Sequence, residues 1–228
     1  MASSPRKKAK TVSIQRSVID KDGDLVLLVG EELTSPAKEF LVCSSTMRRA
    51  SPVWKRMLFG GFQESKPAEG DWVVALPDDE PRILTTLLNV VHANFSETYR
   101  QLDVAGIYEH VVLMDKYDIL RFMQPWRDDW MAKVKVAANA DEAGLLCMAA
   151  YIALQMGAES QAYSILCAIS KFVTVDEKNN LAPLDAKLLE NLDTIGCHSV
   201  SGAMHPLDPS SISRVPTRLI DTQVSYGP

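Results

Sequence analysis

The apolar run Leu25-Val26-Leu27-Leu28-Val29 constrains this chain more than any other feature. It is entered from Asp22-Gly23-Asp24 and left at Gly30. Successive side chains of a strand point to opposite faces, so an unbroken aliphatic run predicts a strand buried on both. Such a strand needs partners on its edges and cover on its faces. The residues that follow offer both, up to Glu64. Phe40-Leu41-Val42 reads as a second strand. Met47 to Phe59 has helical spacing interrupted by Ser51-Pro52. Ser caps helices and Pro suits the first helical position, so this pair predicts the end of one short helix and the start of another. The stretch closes on Gly60-Gly61-Phe62-Gln63-Glu64.

The same grammar continues. Lys66 to Asp71 is a loop by its Pro and Gly content. Trp72-Val73-Val74-Ala75-Leu76 is a strand by its β-branched and aromatic content. The acidic run Asp78-Asp79-Glu80 before Pro81 reads as helix capping, because carboxylates favour the positive end of a helix. Ile83, Leu84, Leu87, Leu88 and Val91 then form one apolar stripe. Asn94 to Asp103 reads as polar turn. A helix with Val104, Ile107, Tyr108, Val111, Val112 and Met114 follows, ending near Asp115-Lys116-Tyr117-Asp118. Ile119 to Met123 continues helical, and Pro125-Trp126 marks a break.

This order resembles the BTB/POZ family, in its fungal-type form. Asp24-Leu25-Val26-Leu27 looks like the family's first strand. Phe40-Leu41-Val42 followed by Ser51-Pro52-Val53-Trp54-Lys55-Arg56-Met57-Leu58 looks like its second strand and "SP-aromatic-x-x-M-F" helix. Phe62-Gln63-Glu64-Ser65 is similar to the end of its first helical hairpin, Asp115-Lys116-Tyr117 to its "A-D-K-Y" segment, and Trp126 to Trp130 to the "P-W-x-x-W" segment of fungal-type members. Cys43 stands where many animal members carry His. The resemblance implies an α+β fold, a short mixed sheet flanked by helical hairpins, followed by an all-α extension. The expected divisions are a disordered basic tail and lead-in arm over 1–19, the BTB/POZ domain over 20–135, a helical extension over 136–195, and a disordered tail over 196–228.

In that extension Asp141-Glu142 is expected to cap a helix with Leu145, Leu146, Met148, Ala149, Ile152, Ala153 and Met156 on one face, ended by Gly157. Gln161 to Phe172 gives a second helix, and the two make an antiparallel hairpin that needs a surface to pack on. Leu181 to Leu192 reads as a further short helix. Thr11 to Ile19, with Val12, Ile14 and Val18, reads as an extra strand or a lead-in arm.

Several function classes recede. A net charge of −5 argues against direct nucleic-acid binding by bulk electrostatics. No apolar run approaches the roughly 18–20 residues that span a bilayer, and the polar, basic start lacks the apolar core of a secretion signal. The four cysteines, Cys43, Cys147, Cys167 and Cys197, are widely spaced, Cys147 and Cys167 among apolar neighbours, and read as reduced, buried small hydrophobes. Pro5-Arg6-Lys7-Lys8-Ala9-Lys10 reads either as a nuclear-import signal or as a solvated tail, so the expected location is nucleus or cytoplasm. His92 and His110 read as helix residues without chemistry, and Cys197, His198 and His205 as too sparse for a metal site. Gly60-Gly61 lacks the Lys-Ser/Thr of a phosphate loop, and no nucleophile elbow occurs. An enzyme, a cofactor and a bound metal are not expected.

The expected function, implied by the resemblance, is a protein–protein interaction module that homo- or hetero-oligomerises and serves as a substrate adaptor for a cullin-type ubiquitin ligase. The alternative is a nuclear regulatory factor that uses the domain only to dimerise. In family members that recruit a cullin scaffold, a hydrophobic-x-Glu motif at the position of Phe62-Gln63-Glu64 contacts it; the other reading packs Phe62 on the helical hairpin and leaves Glu64 as a solvated helix-end charge. An apolar anchor beside a charge supplies affinity and register together. Met47, Val53, Trp54 and Leu58 are the expected homodimer contact, since one small hairpin offers little room to bury them all. Trp54, Trp72, Trp126 and Trp130 are expected to be packing residues.

Overall fold

A computed structural model describes residues 14–95, 98–175 and 181–183. Its centre is a four-stranded mixed sheet in the order β1-β3-β2-β4, formed by β1 (Gln15–Val18), β2 (Leu25–Val29), β3 (Lys38–Val42) and β4 (Val73–Leu76). The apolar run is β2. It pairs antiparallel with β3, Leu27 opposite Phe40, and parallel with β4, Leu27 opposite Val74. Leu25, Leu27 and Val29 are fully buried, whereas Val26 and Leu28 are half-buried. The expectation of two buried faces therefore holds completely on one face only.

β1 lies parallel to β3 at the sheet edge. Its apolar alternation does not hold it there, because Ile14 and Val18 are exposed. The backbone ladder does, with the Arg16–Glu39 ion pair at 2.8 Å across it. The folded unit thus begins by residue 15, before the boundary expected at residue 20. The basic run at residues 6–10 lies outside the described residues.

Two short helices follow β3: α1 (Ser44–Ala50) and α2 (Pro52–Phe59). After β4 come α3 (Pro81–Val91), α4 (Thr98–Gln101) and α5 (Val104–Lys116). A 3-10 segment, Leu120–Trp126, leads into α6 (Arg127–Ala137). α7 (Ala143–Gln155) and α8 (Glu159–Ile169) form the expected hairpin. Gly157 turns the chain between them with φ of 69°, a conformation that glycine adopts without a Cβ penalty. Glu142 flanks α7 but its side chain makes no cap, contrary to expectation.

The hairpin docks on α5, where the rings of Tyr108 and Tyr151 meet at 5.4 Å. One apolar core runs from Leu25 to Ile165 through the sheet and the helices. The boundary expected at residue 135 falls inside α6. Residues 181–183, expected as the start of a helix, are instead strand β6 (Leu181–Pro183), antiparallel to β5 (Val173–Val175). The remainder of that expected helix and the tail from residue 196 lie outside the described residues. Among the described residues, no helix is long and apolar enough to cross a membrane.

The segment 94–103, expected as polar turn, contributes Tyr99 to the interior. Tyr99 is packed against Trp126 at 4.8 Å, and its carbonyl accepts from the Trp130 indole at 3.0 Å. A tyrosine ring brings enough apolar area to organise a core from a four-residue helix. Trp54, Trp72, Trp126 and Trp130 are all buried, as expected of packing residues.

Candidate functional site

The site is built from α2 and the loop after it. Ser51 and Pro52 start α2 as the sequence predicts. Ser51 Oγ accepts from the Trp54 amide at 3.0 Å, and Pro52 occupies the first turn. The same hydroxyl donates to the Tyr117 carbonyl at 2.5 Å, so the cap also moors α2 to the end of α5. Trp54 and Leu58, one helical turn apart, both face inward and are fully buried. Pro52, Val53, Lys55 and Arg56 are left on the outer face.

This division corrects the expected dimer contact. Met47, Trp54 and Leu58 are core residues of the protomer, and only Val53, 38% exposed, presents surface. The hairpin alone does not bury them. Tyr117 closes over Trp54, with ring centroids 4.8 Å apart.

α2 ends at Gly60, where a Cβ would stand 2.2 Å from the Arg56 carbonyl oxygen and 2.9 Å from the Phe62 ring. Gly61 turns the chain with φ of 80°. Ser65 Oγ then accepts from the Gly61 amide at 3.0 Å and donates to the Met57 carbonyl at 3.3 Å. Trp72 Nε1 donates to the Glu64 carbonyl at 2.9 Å, and the Trp72 ring meets Phe59 edge-on at 5.7 Å. The backbone from Gly60 to Ser65 is thereby fixed from both ends. Trp72 beside this loop is buried, whereas Phe62 stays outside, 55% exposed.

Phe62 and Glu64 come together on one open groove of about 600 Å³, lined also by Pro52, Val53, Arg56 and Met57. Its lining combines an aromatic ring, a valine and a thioether with a carboxylate and a guanidinium. No acid–base pair or nucleophile is assembled there. The groove offers apolar area and two opposite charges, which is the chemistry of a docking surface.

A second arrangement was misread in the sequence. In Asp78-Asp79-Glu80 only Glu80 caps a helix, accepting from Arg82 N and from Ser35 Oγ. Asp79 turns inward, 2% exposed, and accepts from Lys116 Nζ at 2.6 Å and from the Tyr117 hydroxyl. Burial first, then the Asp79 charge, pushes the Tyr117 phenol above the ordinary tyrosine range. Nothing local to the acidic run marks this, because both donors come from the end of α5.

His92 and His110 have structural work. His92 Nε2 accepts from the Cys43 amide at 3.1 Å while its Nδ1 lies 2.9 Å from the Leu88 carbonyl, so the proton sits on Nδ1. His110 Nδ1 lies 2.7 Å from the Gly106 carbonyl, and burial lowers its pKa. Among the described residues no cluster of three or more His, Cys, Asp or Glu is placed to hold a metal. Cys197, His198 and His205 lie outside them, and the cysteines expected to be buried are not: Cys43 and Cys147 are half-buried and Cys167 is exposed. No family model matches this chain, and no curated protein matches it.

Proposed function

We propose that this chain is a protein–protein interaction module of the BTB/POZ kind that engages a protein partner through the Phe62–Glu64 rim of α2. The observation that carries this reading is the exposure of Phe62 on a rigid loop, beside Val53 and Glu64 on one groove. A large aromatic left half in water at a fixed position costs hydration free energy that a partner's cover recovers. The loop that carries Phe62 is held by the Trp72 and Ser65 hydrogen bonds.

The partner the resemblance implies is a cullin-type scaffold. Phe62 would enter an apolar recess of the scaffold and Glu64 would face a basic group. Self-association through Met47, Trp54 and Leu58 drops out, because those side chains are enclosed. The direct test is calorimetric titration of the chain with a cullin N-terminal fragment. Saturable binding is expected. Absence of heat, together with absence of a complex in light scattering, overturns the scaffold assignment.

A further inference from the structure

A second groove lies on the other side of Pro52. It is lined by Ser45, Arg48, Arg49, Ser51, Pro52, Lys55 and Arg121 and encloses about 580 Å³. Four of those residues are cations and none is an acid. Arg48, Arg49 and Lys55 are exposed, and among the described residues none of them pairs with a carboxylate. Arg121 is set in place by its guanidinium donating to the Ala50 carbonyl at 2.6 Å. Arg48 lies over the Phe59 ring at 5.2 Å, which fixes its direction. This is unusual company in a chain with 29 acidic and 24 basic residues.

Uncompensated cations held close together repel one another, so the arrangement lowers the stability of the free protein. An anion placed among them relieves that repulsion. We infer that the α1–α2 face around Arg48, Arg49, Lys55 and Arg121 is a docking surface for an acidic peptide segment of a protein partner. Three of the four cations lie on the α1–α2 hairpin and the fourth, Arg121, on the 3-10 segment packed beside it, and the groove across Pro52 carries the carboxylate of Glu64 as well as Arg56. A long polyanion such as a nucleic acid would run off this patch onto a surface of net negative charge. A short run of carboxylates would not. Arg guanidinium groups suit such a run, because each takes a carboxylate through two parallel N–H donors.

This surface shares only Pro52 with the Phe62 groove, so a substitution at Phe62 leaves its lining intact. The probe is a short fluorescent peptide of alternating Glu and Ser, followed by anisotropy against the full chain. Binding is expected, weakening as salt rises, since charge attraction across a wet surface is screened within about 10 Å at 0.1 M and about 3 Å at 1 M. The matching Gln/Ser peptide should not bind. Arg49→Glu with Lys55→Glu should weaken the Glu/Ser peptide at least about tenfold. The neutral pair Arg49→Gln with Lys55→Gln should fall between wild type and reversal, and it guards against loss of fold. Phe62→Ala should leave this binding unchanged, which separates failure here from failure at the other groove. Equal binding by wild type and both double variants overturns the inference. So does no binding by wild type, or tighter binding of a charge-matched oligothymidylate that the reversal abolishes.

Discussion

The Tyr117 hydroxyl donates to the buried carboxylate of Asp79, joining the end of α5 to the turn that starts α3. The same residue's carbonyl accepts from Ser51 and its ring covers Trp54. Tyr117 therefore sets where α2 lies, and α2 carries both grooves. Replacing it by Phe keeps the ring and removes one donor to a buried charge. A loss of about 1–3 kcal/mol of stability is expected, read by denaturant unfolding. Because the native pKa is raised, the phenol's contribution is complete below the unfolded value of about 10 and is lost as pH rises beyond it. The alkaline limb of stability should be shallower in Tyr117→Phe than in wild type.

Asp24 supplies what α1 lacks at its own start. Cys43 makes no side-chain cap, and Asp24 instead accepts from the Ser44 amide at 2.8 Å and the Ser44 hydroxyl at 2.9 Å. Burial alone would raise its pKa, but the Ser44 donors and Lys66 outweigh it and the net shift is downward. A lowered carboxylate contributes stability above its unfolded pKa of about 3.9, lost as pH falls through the native value. Asp24→Asn should flatten this part of the acid limb. At neutral pH it should cost under about 1 kcal/mol, since the side chain is partly in water.

Gly60 and Gly61 are adjacent and should answer differently to Ala. At Gly60 the new methyl would collide with the Arg56 carbonyl, so the end of α2 must move and Phe62 with it. A loss of about 1–3 kcal/mol is expected, together with weaker partner binding at the rim. Gly61 has open space around a Cβ, and only its φ of 80° resists substitution. There a loss of about 1 kcal/mol is expected, with binding at the rim little changed. Thermal unfolding and calorimetry of the two variants check the contrast.

Local chemistry was legible in the sequence. Ser51-Pro52 located the junction of α1 and α2 because capping involves only neighbours in the chain. The run at Leu25 announced the central strand, since its length and bounds are local too. Asp79 was not legible, because its partners Lys116 and Tyr117 lie 37 and 38 positions away. A carboxylate before a proline looks like a cap until the distant donors are placed. Met47, Trp54 and Leu58 read as surface in the sequence for the same reason: the ring that covers Trp54 comes from the end of α5. Tyr99 was hidden by the polar residues around it. Phe62 and Glu64 could be paired from spacing alone, but not the exposure of Phe62, which depends on how the loop from Gly60 to Ser65 is held against distant residues such as Trp72.

The claim that Phe62 is a surface anchor rests most directly on one paired measurement of Phe62→Ala: thermal unfolding, and calorimetric binding of a cullin N-terminal fragment to the same protein. A surface anchor predicts a stability change under about 1 kcal/mol with at least a tenfold loss of affinity, which is about 1.4 kcal/mol or more. A stability loss of about 3–5 kcal/mol, the range for deleting a buried aromatic side chain, with affinity unchanged in the folded fraction, would contradict it.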